Sequence, residues 1–140
     1  MSIQNQLLEY EKKLIQAEKH TFFNDMWKQI FPNHSGVYVV WEKEEPIYVG
    51  ETSGLKSRMS DIMRPINHAF TKKISNKFNL SNLNELRKFM SDNYKLSYIT
   101  VDLGRSEIEE YLILRWRKTL INKPTTRLLK GEQYSWVKAV

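Results

Sequence analysis

Gly36-Val37-Tyr38-Val39-Val40-Trp41 and Pro46-Ile47-Tyr48-Val49-Gly50 are two β-branched and aromatic runs joined by the polar link Glu42-Lys43-Glu44-Glu45. Such side chains suit a pleated, half-buried surface, so the segment is read as an antiparallel hairpin. Tyr38 lies two residues into the first run and Tyr48 two into the second. Alternation can put both rings on one face of the sheet, but the register decides this and the sequence leaves it open. Core packing is the ordinary fate of a strand tyrosine. The pair gains meaning from the residues downstream of Gly50.

Gly50-Glu51-Thr52-Ser53-Gly54 turns the chain out of the hairpin, and Ser53 is expected to cap a helix from Leu55 to Met63, ended by Pro65. Leu55, Met59, Ile62 and Met63 form its buried stripe, which leaves Arg58 on the flank. A guanidinium there suits a phosphate, because its planar fork donates two parallel hydrogen bonds and stays charged at any working pH. An ordinary surface arginine is the alternative. From Lys56 to Lys77 the chain also carries Arg64, Lys72 and Lys73 against the single acid Asp61, its most basic stretch.

On the N-terminal side, Leu7, Leu8, Leu14, Ile15, Phe22, Phe23, Met26, Trp27 and Ile30 recur at helix-like intervals, predicting one or two amphipathic helices before Phe31-Pro32 breaks them. On the C-terminal side, helices are expected over Phe70–Leu80 and Leu83–Met90, then a strand at Tyr98–Val101. A helix with a capping box at Ser106-Glu107-Ile108-Glu109 comes next, running to Leu120. The tail from Arg127 is read as a last strand or strap. The fold class is α+β, a small antiparallel sheet flanked by helices. Residues 1–35 are read as a helical extension packed on the domain, 36–126 as the domain itself and 127–140 as its tail.

At 140 residues the chain can build one core. Its 22 Lys plus Arg against 16 Asp plus Glu give a net +6, which favours a polyanionic partner. With no Cys and three scattered His, thiolate and zinc sites are not expected. The polar N-terminus and the absence of a long apolar stretch point to a soluble, cytoplasmic protein with no membrane partner.

A site that binds phosphate also needs a carboxylate. Glu107, Glu109 and Glu110 are available, and Glu109 is preferred because it shares a row with Ile113, Trp116 and Leu120, which turns it toward the body of the protein. Glu107 suits capping, and an acid in a first turn is often there for the helix dipole.

Gly36-Val37-Tyr38, Ile47-Tyr48-Val49-Gly50, the run ending at Arg58, and Ile108-Glu109-Glu110-Tyr111-Leu112-Ile113 together resemble the four landmarks of the GIY-YIG nucleases, in order, from Gly36 to Pro124. The resemblance implies a central three-stranded antiparallel sheet and a metal-dependent phosphodiesterase acting on DNA, duplex or branched, with one Mg²⁺ or Mn²⁺ ion. By the same resemblance Tyr38 is the general base or water-positioning phenol, Tyr48 the second phenol, Arg58 the phosphate clamp and Glu109 the metal ligand. A phenol with a pKa near ~10 is a poor base at neutral pH, so Arg58, the metal or a His must favour its deprotonation. His68, inside the basic stretch, is the candidate helper.

The chain departs from the family pattern twice. Many members have a His or Tyr one turn after the arginine, where Ile62 stands here, so that role is absent or falls to His68. Many also have an Asn shortly after the proline that follows the Glu helix, where this chain reads Lys123-Pro124-Thr125-Thr126-Arg127. Asn122, on the other side of the proline, is not assumed to substitute.

The leading reading is a DNA endonuclease whose backbone contacts come from Lys56, Arg64, Lys72, Lys73 and Arg117. The alternatives are a catalytically weakened nucleic-acid-binding module and a protein-interaction scaffold built on the N-terminal helices. A homodimer is one way to cut both strands, because one site makes one nick, and the sequence leaves the oligomeric state open.

Overall fold

The computed structural model describes residues 2–140. Helix α1 (Ile3–Gln16) is followed by a two-residue strand β1 (His20–Thr21), the hairpin β2 (Gly36–Glu42) and β3 (Glu45–Thr52), and helices α2 (Leu55–Asp61), α3 (Ala69–Lys77) and α4 (Leu83–Asn93). Strand β4 (Lys95–Thr100), helix α5 (Arg105–Arg115) and a short α6 (Thr126–Lys130) complete the order. The strands form one sheet, β1-β4-β2-β3, with every pairing antiparallel. It has four strands where three were expected, because residues 20–21 add along β4.

Strand β2 lies inside the sheet and is buried on both faces from Gly36 to Trp41, which is why it reads as a nearly continuous apolar run. On one face Tyr38, Val40 and Tyr48 pack with Leu55, Met59, Ile62, Phe70, Ile74, Leu86 and Met90 from α2, α3 and α4 and their connections. On the other, Val37, Val39, Trp41 and Val49 pack with Leu7, Leu14, Ile108, Tyr111 and Leu112 from α1 and α5. The sheet thus separates two helical layers.

The hairpin closes through Lys43-Glu44, with Glu42 paired to Glu45 and Lys43 at φ 56°, the positive φ that a two-residue hairpin turn demands. Trp41 pairs with Pro46, but Val40 pairs with Tyr48. Ile47 is therefore the extra residue of a β-bulge. Beyond it Tyr38 opposes Gly50.

The second N-terminal helix does not form. α1 ends at Gln16, and residues 22–31 turn so that Phe22, Trp27 and Phe31 are buried together, with Phe22 and Trp27 stacked at 5.0 Å. The Trp27 Nε1–H donates to the Met59 carbonyl at 2.8 Å, anchoring the turn on the far end of α2. Aromatics spaced as on a helix are here held by packing against another element. The cap of α2 is Gly54 rather than Ser53, and that of α5 is Gly104 at φ 86° rather than Ser106, which lies inside the helix. α5 stops at Arg115, short of the expected Leu120, because the chain must turn there to bring Ile121 to the edge of β3, where its N–H donates to the Ile47 carbonyl at 2.7 Å. The tail contains α6 and turns rather than a strand, and it packs Tyr134 and Val137 into the α1–α5 layer. Among the described residues no helix is long and apolar enough to cross a membrane.

Candidate active site

The bulge decides the first feature of the site. With Tyr38 opposite Gly50 and Tyr48 opposite Val40, the two phenols are diagonal neighbours on the α2–α3 face, ring centroids 6.4 Å apart. Gly50 makes this possible: a Cβ there would meet Tyr38 Cζ at 2.2 Å and Oη at 2.3 Å, so only a bare Cα lets the ring lie across β3.

His68 stands between the two phenols, with its ring centroid 5.9 Å from that of Tyr38 and 5.7 Å from that of Tyr48. It is 2 % exposed and is the N-cap of α3, its Nδ1 accepting from the Phe70 N–H at 3.1 Å. Nδ1 therefore carries no proton, and a neutral imidazole must carry it on Nε2. Nε2 lies 2.7 Å from Tyr38 Oη, so His68 donates to the phenol oxygen. Burial first, and the charge of Arg58 second, hold the His68 pKa down at about 3, which keeps the ring neutral. Ile62, at the position where many family members have a His or Tyr, is wholly buried core.

Arg58 projects from α2 beside the phenols. Its Nη1 donates to the Asn67 carbonyl at 3.0 Å and lies 3.6 Å from Asp61 Oδ2. Partial burial opposes its charge, but Tyr38, Tyr48 and Asp61 more than offset that, and the guanidinium stays ionised. Its effect on the phenols is weaker than expected from the sequence. Burial, then the neighbouring Tyr48, push the Tyr38 phenol well above its ordinary range, and the pull of Arg58 does not cancel this. Tyr48 is raised too, chiefly by burial. Both phenols therefore hold their protons at neutral pH.

Glu109 belongs to the opposite layer, yet its charge acts on both phenols. Burial, then Glu51 and Glu110, lift its pKa to about 7, against the pull of the Glu51 N–H. Glu51 is itself paired with Arg105 Nε at 2.5 Å. Glu110 instead accepts from the tail's Tyr134 hydroxyl at 3.3 Å. The outward backbone groups of β3 are thus met in turn by Ile121, Asn122 and Glu109. Asn122 donates from Nδ2 to the Val49 carbonyl at 2.7 Å and accepts at Oδ1 from the Val49 N–H at 3.3 Å, closing the edge as a further strand would. Its amide is committed to the fold, and nothing local in the sequence signals this.

Residues 34–124 match the model of the GIY-YIG catalytic domain. The chain belongs to the GIY-YIG family. Solved structures similar to it include the GIY-YIG N-terminal endonuclease domain of UvrC from Thermotoga maritima. A point mutant of that domain bound to its catalytic divalent cation is 19% identical at a TM-score of 0.40, with 79% of this chain and 89% of that one covered. The same domain bound to magnesium is 20% identical at a TM-score of 0.38, with 79% and 90% covered. No curated protein matches the chain.

Of the residues singled out in this GIY-YIG chain, the fold brings Tyr38, Tyr48, Arg58 and His68 together and sets Glu109 at the sheet edge within their field. Lys56, Arg64, Lys72 and Lys73 are exposed on and between α2 and α3, the layer that holds the phenols. Arg117 differs, since it lies just past α5 and its Nη1 folds back onto the Leu114 carbonyl at 2.9 Å. Among the described residues no three His, Cys, Asp or Glu side chains converge as a metal cage. The donors near Glu109 are oxygens, and its pKa is raised by burial first and then by the negative charge of Glu51 and Glu110. Such a site fits a hard cation that keeps most of its waters.

Proposed function

We propose that this domain is a DNA endonuclease that hydrolyses a phosphodiester with one Mg²⁺ or Mn²⁺ ion held by Glu109. The observation that carries the reading is the 2.7 Å contact of His68 Nε2 with Tyr38 Oη, on a phenol buried beside Arg58. Arg58 offers the guanidinium donors that Asn67 does not use to the scissile phosphate and balances its charge. Tyr38 orients the attacking water. Because His68 donates to Oη through Nε2–H, negative charge that develops on the phenol oxygen meets a ready donor, and no side chain has to move. Tyr48 walls the site and holds His68 against Tyr38. The ion, when bound, supplies Lewis-acid stabilisation of the leaving 3′ oxygen.

The phenols' raised pKa values favour a second reading, a binding module of the same family with weakened catalysis. One experiment separates the two. Labelled single-stranded, duplex, nicked, flapped and branched DNAs are incubated with Mg²⁺ or Mn²⁺ and the wild type, Glu109→Ala or Glu110→Ala. Metal-dependent cutting abolished by Glu109→Ala and retained by Glu110→Ala supports the nuclease. Salt-sensitive binding without cutting of any substrate supports the module. Sedimentation of the wild type on a cut duplex tests whether a homodimer makes both nicks.

A further inference from the structure

Ile66 is 89% exposed, more than any other large hydrophobic side chain among the described residues. Single exposed apolar residues are common and need no explanation by themselves. The placement of Ile66 is what sets it apart. Arg64-Pro65-Ile66-Asn67 is a tight turn between α2 and α3, closed by the Asn67 N–H donating to the Arg64 carbonyl at 3.2 Å, with proline where such turns favour it. Ile66 is at its tip. The next residue, Asn67, accepts from Arg58 Nη1 at 3.0 Å, and the one after it is His68, bonded to Tyr38. The turn is pinned to the site on one side and to the core on the other, where the Thr71 hydroxyl donates to the Ile62 carbonyl at 2.5 Å. Arg64 in the turn itself, Lys56 on α2 and Lys72 and Lys73 on α3 are all exposed.

We propose that Ile66 is a wedge that enters a duplex beside the scissile phosphate and unstacks one base step. The inference rests on the nuclease reading for its substrate, and it adds how that substrate is deformed. A β-branched side chain on a rigid turn reaches its partner with little ordering cost, and inserted apolar side chains of this kind kink duplexes by opening a step. The surrounding cations would hold the two flanking backbones against the protein. The phosphate gripped by Arg58 then lies next to the opened step, because the clamp is hydrogen-bonded to the turn that carries the wedge.

The test uses a short duplex carrying 2-aminopurine at successive steps, whose fluorescence rises on unstacking, with the divalent ion chelated so that nothing is cut. The wild type, Ile66→Ala, Ile66→Leu and, as an equally exposed apolar control away from the phenol layer, Leu103→Ala are compared. The wild type, Ile66→Leu and Leu103→Ala are expected to raise the fluorescence, and Ile66→Ala to lose more than half of that rise. With Mg²⁺ restored, Ile66→Ala is expected to lower kcat/KM about tenfold on intact duplex and about twofold or less on a duplex already opened by a bulge. An unchanged rise with Ile66→Ala, or no rise with the wild type, overturns the wedge. Cutting without any rise sinks the wedge and leaves the nuclease standing; a rise that depends on Ile66 without cutting in any ion does the reverse. Absence of DNA binding ends both.

Discussion

The phenol ring of Tyr38 lies across the Cα of Gly50, so close that a methyl group on residue 50 would sit 2.2 Å from Cζ. Tyr38 is 1% exposed and has no free direction to retreat. Gly50→Ala is therefore expected to lose about 1–3 kcal/mol of stability, as overpacked cores do, and to lose cutting activity even well below its Tm. Tyr38→Ala removes the obstacle. The double variant should be more stable than the two single losses add up to, and chemical denaturation of the four proteins of the cycle checks this.

His68 serves two masters, the cap of α3 through Nδ1 and the Tyr38 oxygen through Nε2. Asparagine caps helices well but is too short to reach Tyr38. His68→Asn is expected to keep α3 and to cut about 100-fold more slowly, whereas His68→Ala also gives up about 1 kcal/mol of capping. Kinetics paired with thermal unfolding separate the two effects.

The same residue sets an acid limit on stability. The His68 pKa is about 3 when folded against the ordinary value of 6.5, so between those values the unfolded chain binds the proton and the folded one does not. This contribution to stability is whole above pH 6.5 and is lost as pH falls toward 3. Urea titrations at pH 7 and 5 should show a smaller loss in His68→Asn than in the wild type.

The Glu109 pKa is raised to about 7, chiefly by burial, so under the proposed role a proton and a cation would compete for its carboxylate. The acid limb of the rate profile is therefore expected to move to lower pH as Mg²⁺ is raised. Activity measured across pH at low and high Mg²⁺ tests this, and a limb that stays in place would mean that another group controls it. In the metal-free protein the raised pKa has the opposite consequence for folding: the ionised form is disfavoured, so the Glu109 contribution improves as pH drops from 7 toward 4.5.

Asn122 closes the edge of β3 with two hydrogen bonds to Val49. Asn122→Ala leaves both backbone groups without their partner and should cost about 1–2 kcal/mol. Faster hydrogen exchange at the Val49 amide, with most other amides unchanged, is the expected signature.

The features legible in the sequence are local ones. β-Branched runs make the hairpin and the third long strand, polar and apolar spacing makes α1, α4 and α5, and the charge between Lys56 and Lys77 marks the most basic stretch, because each depends on residues a few positions apart. The landmark residues are legible too, since they lie within or beside those elements. The aromatic turn at 22–31 reads as helix and is not one, because its spacing mimics a helical stripe while its contacts are with Met59 and the sheet. Strand β1, two residues long, carries no period at all.

Whether the site exists depends on long-range pairing. If the pairing of Glu42 with Glu45 and Trp41 with Pro46 had continued without a bulge, Tyr48 would oppose Val39 and face the α5 layer, away from Tyr38. The extra residue Ile47 shifts the register by one and turns both phenols to the same side. Burial between the layers then sets the charge states, holding both phenols protonated, His68 neutral and Glu109 near 7. These depend on desolvation and on charges as far apart in the chain as Tyr38 and Glu109, which only the folded protein brings into one field.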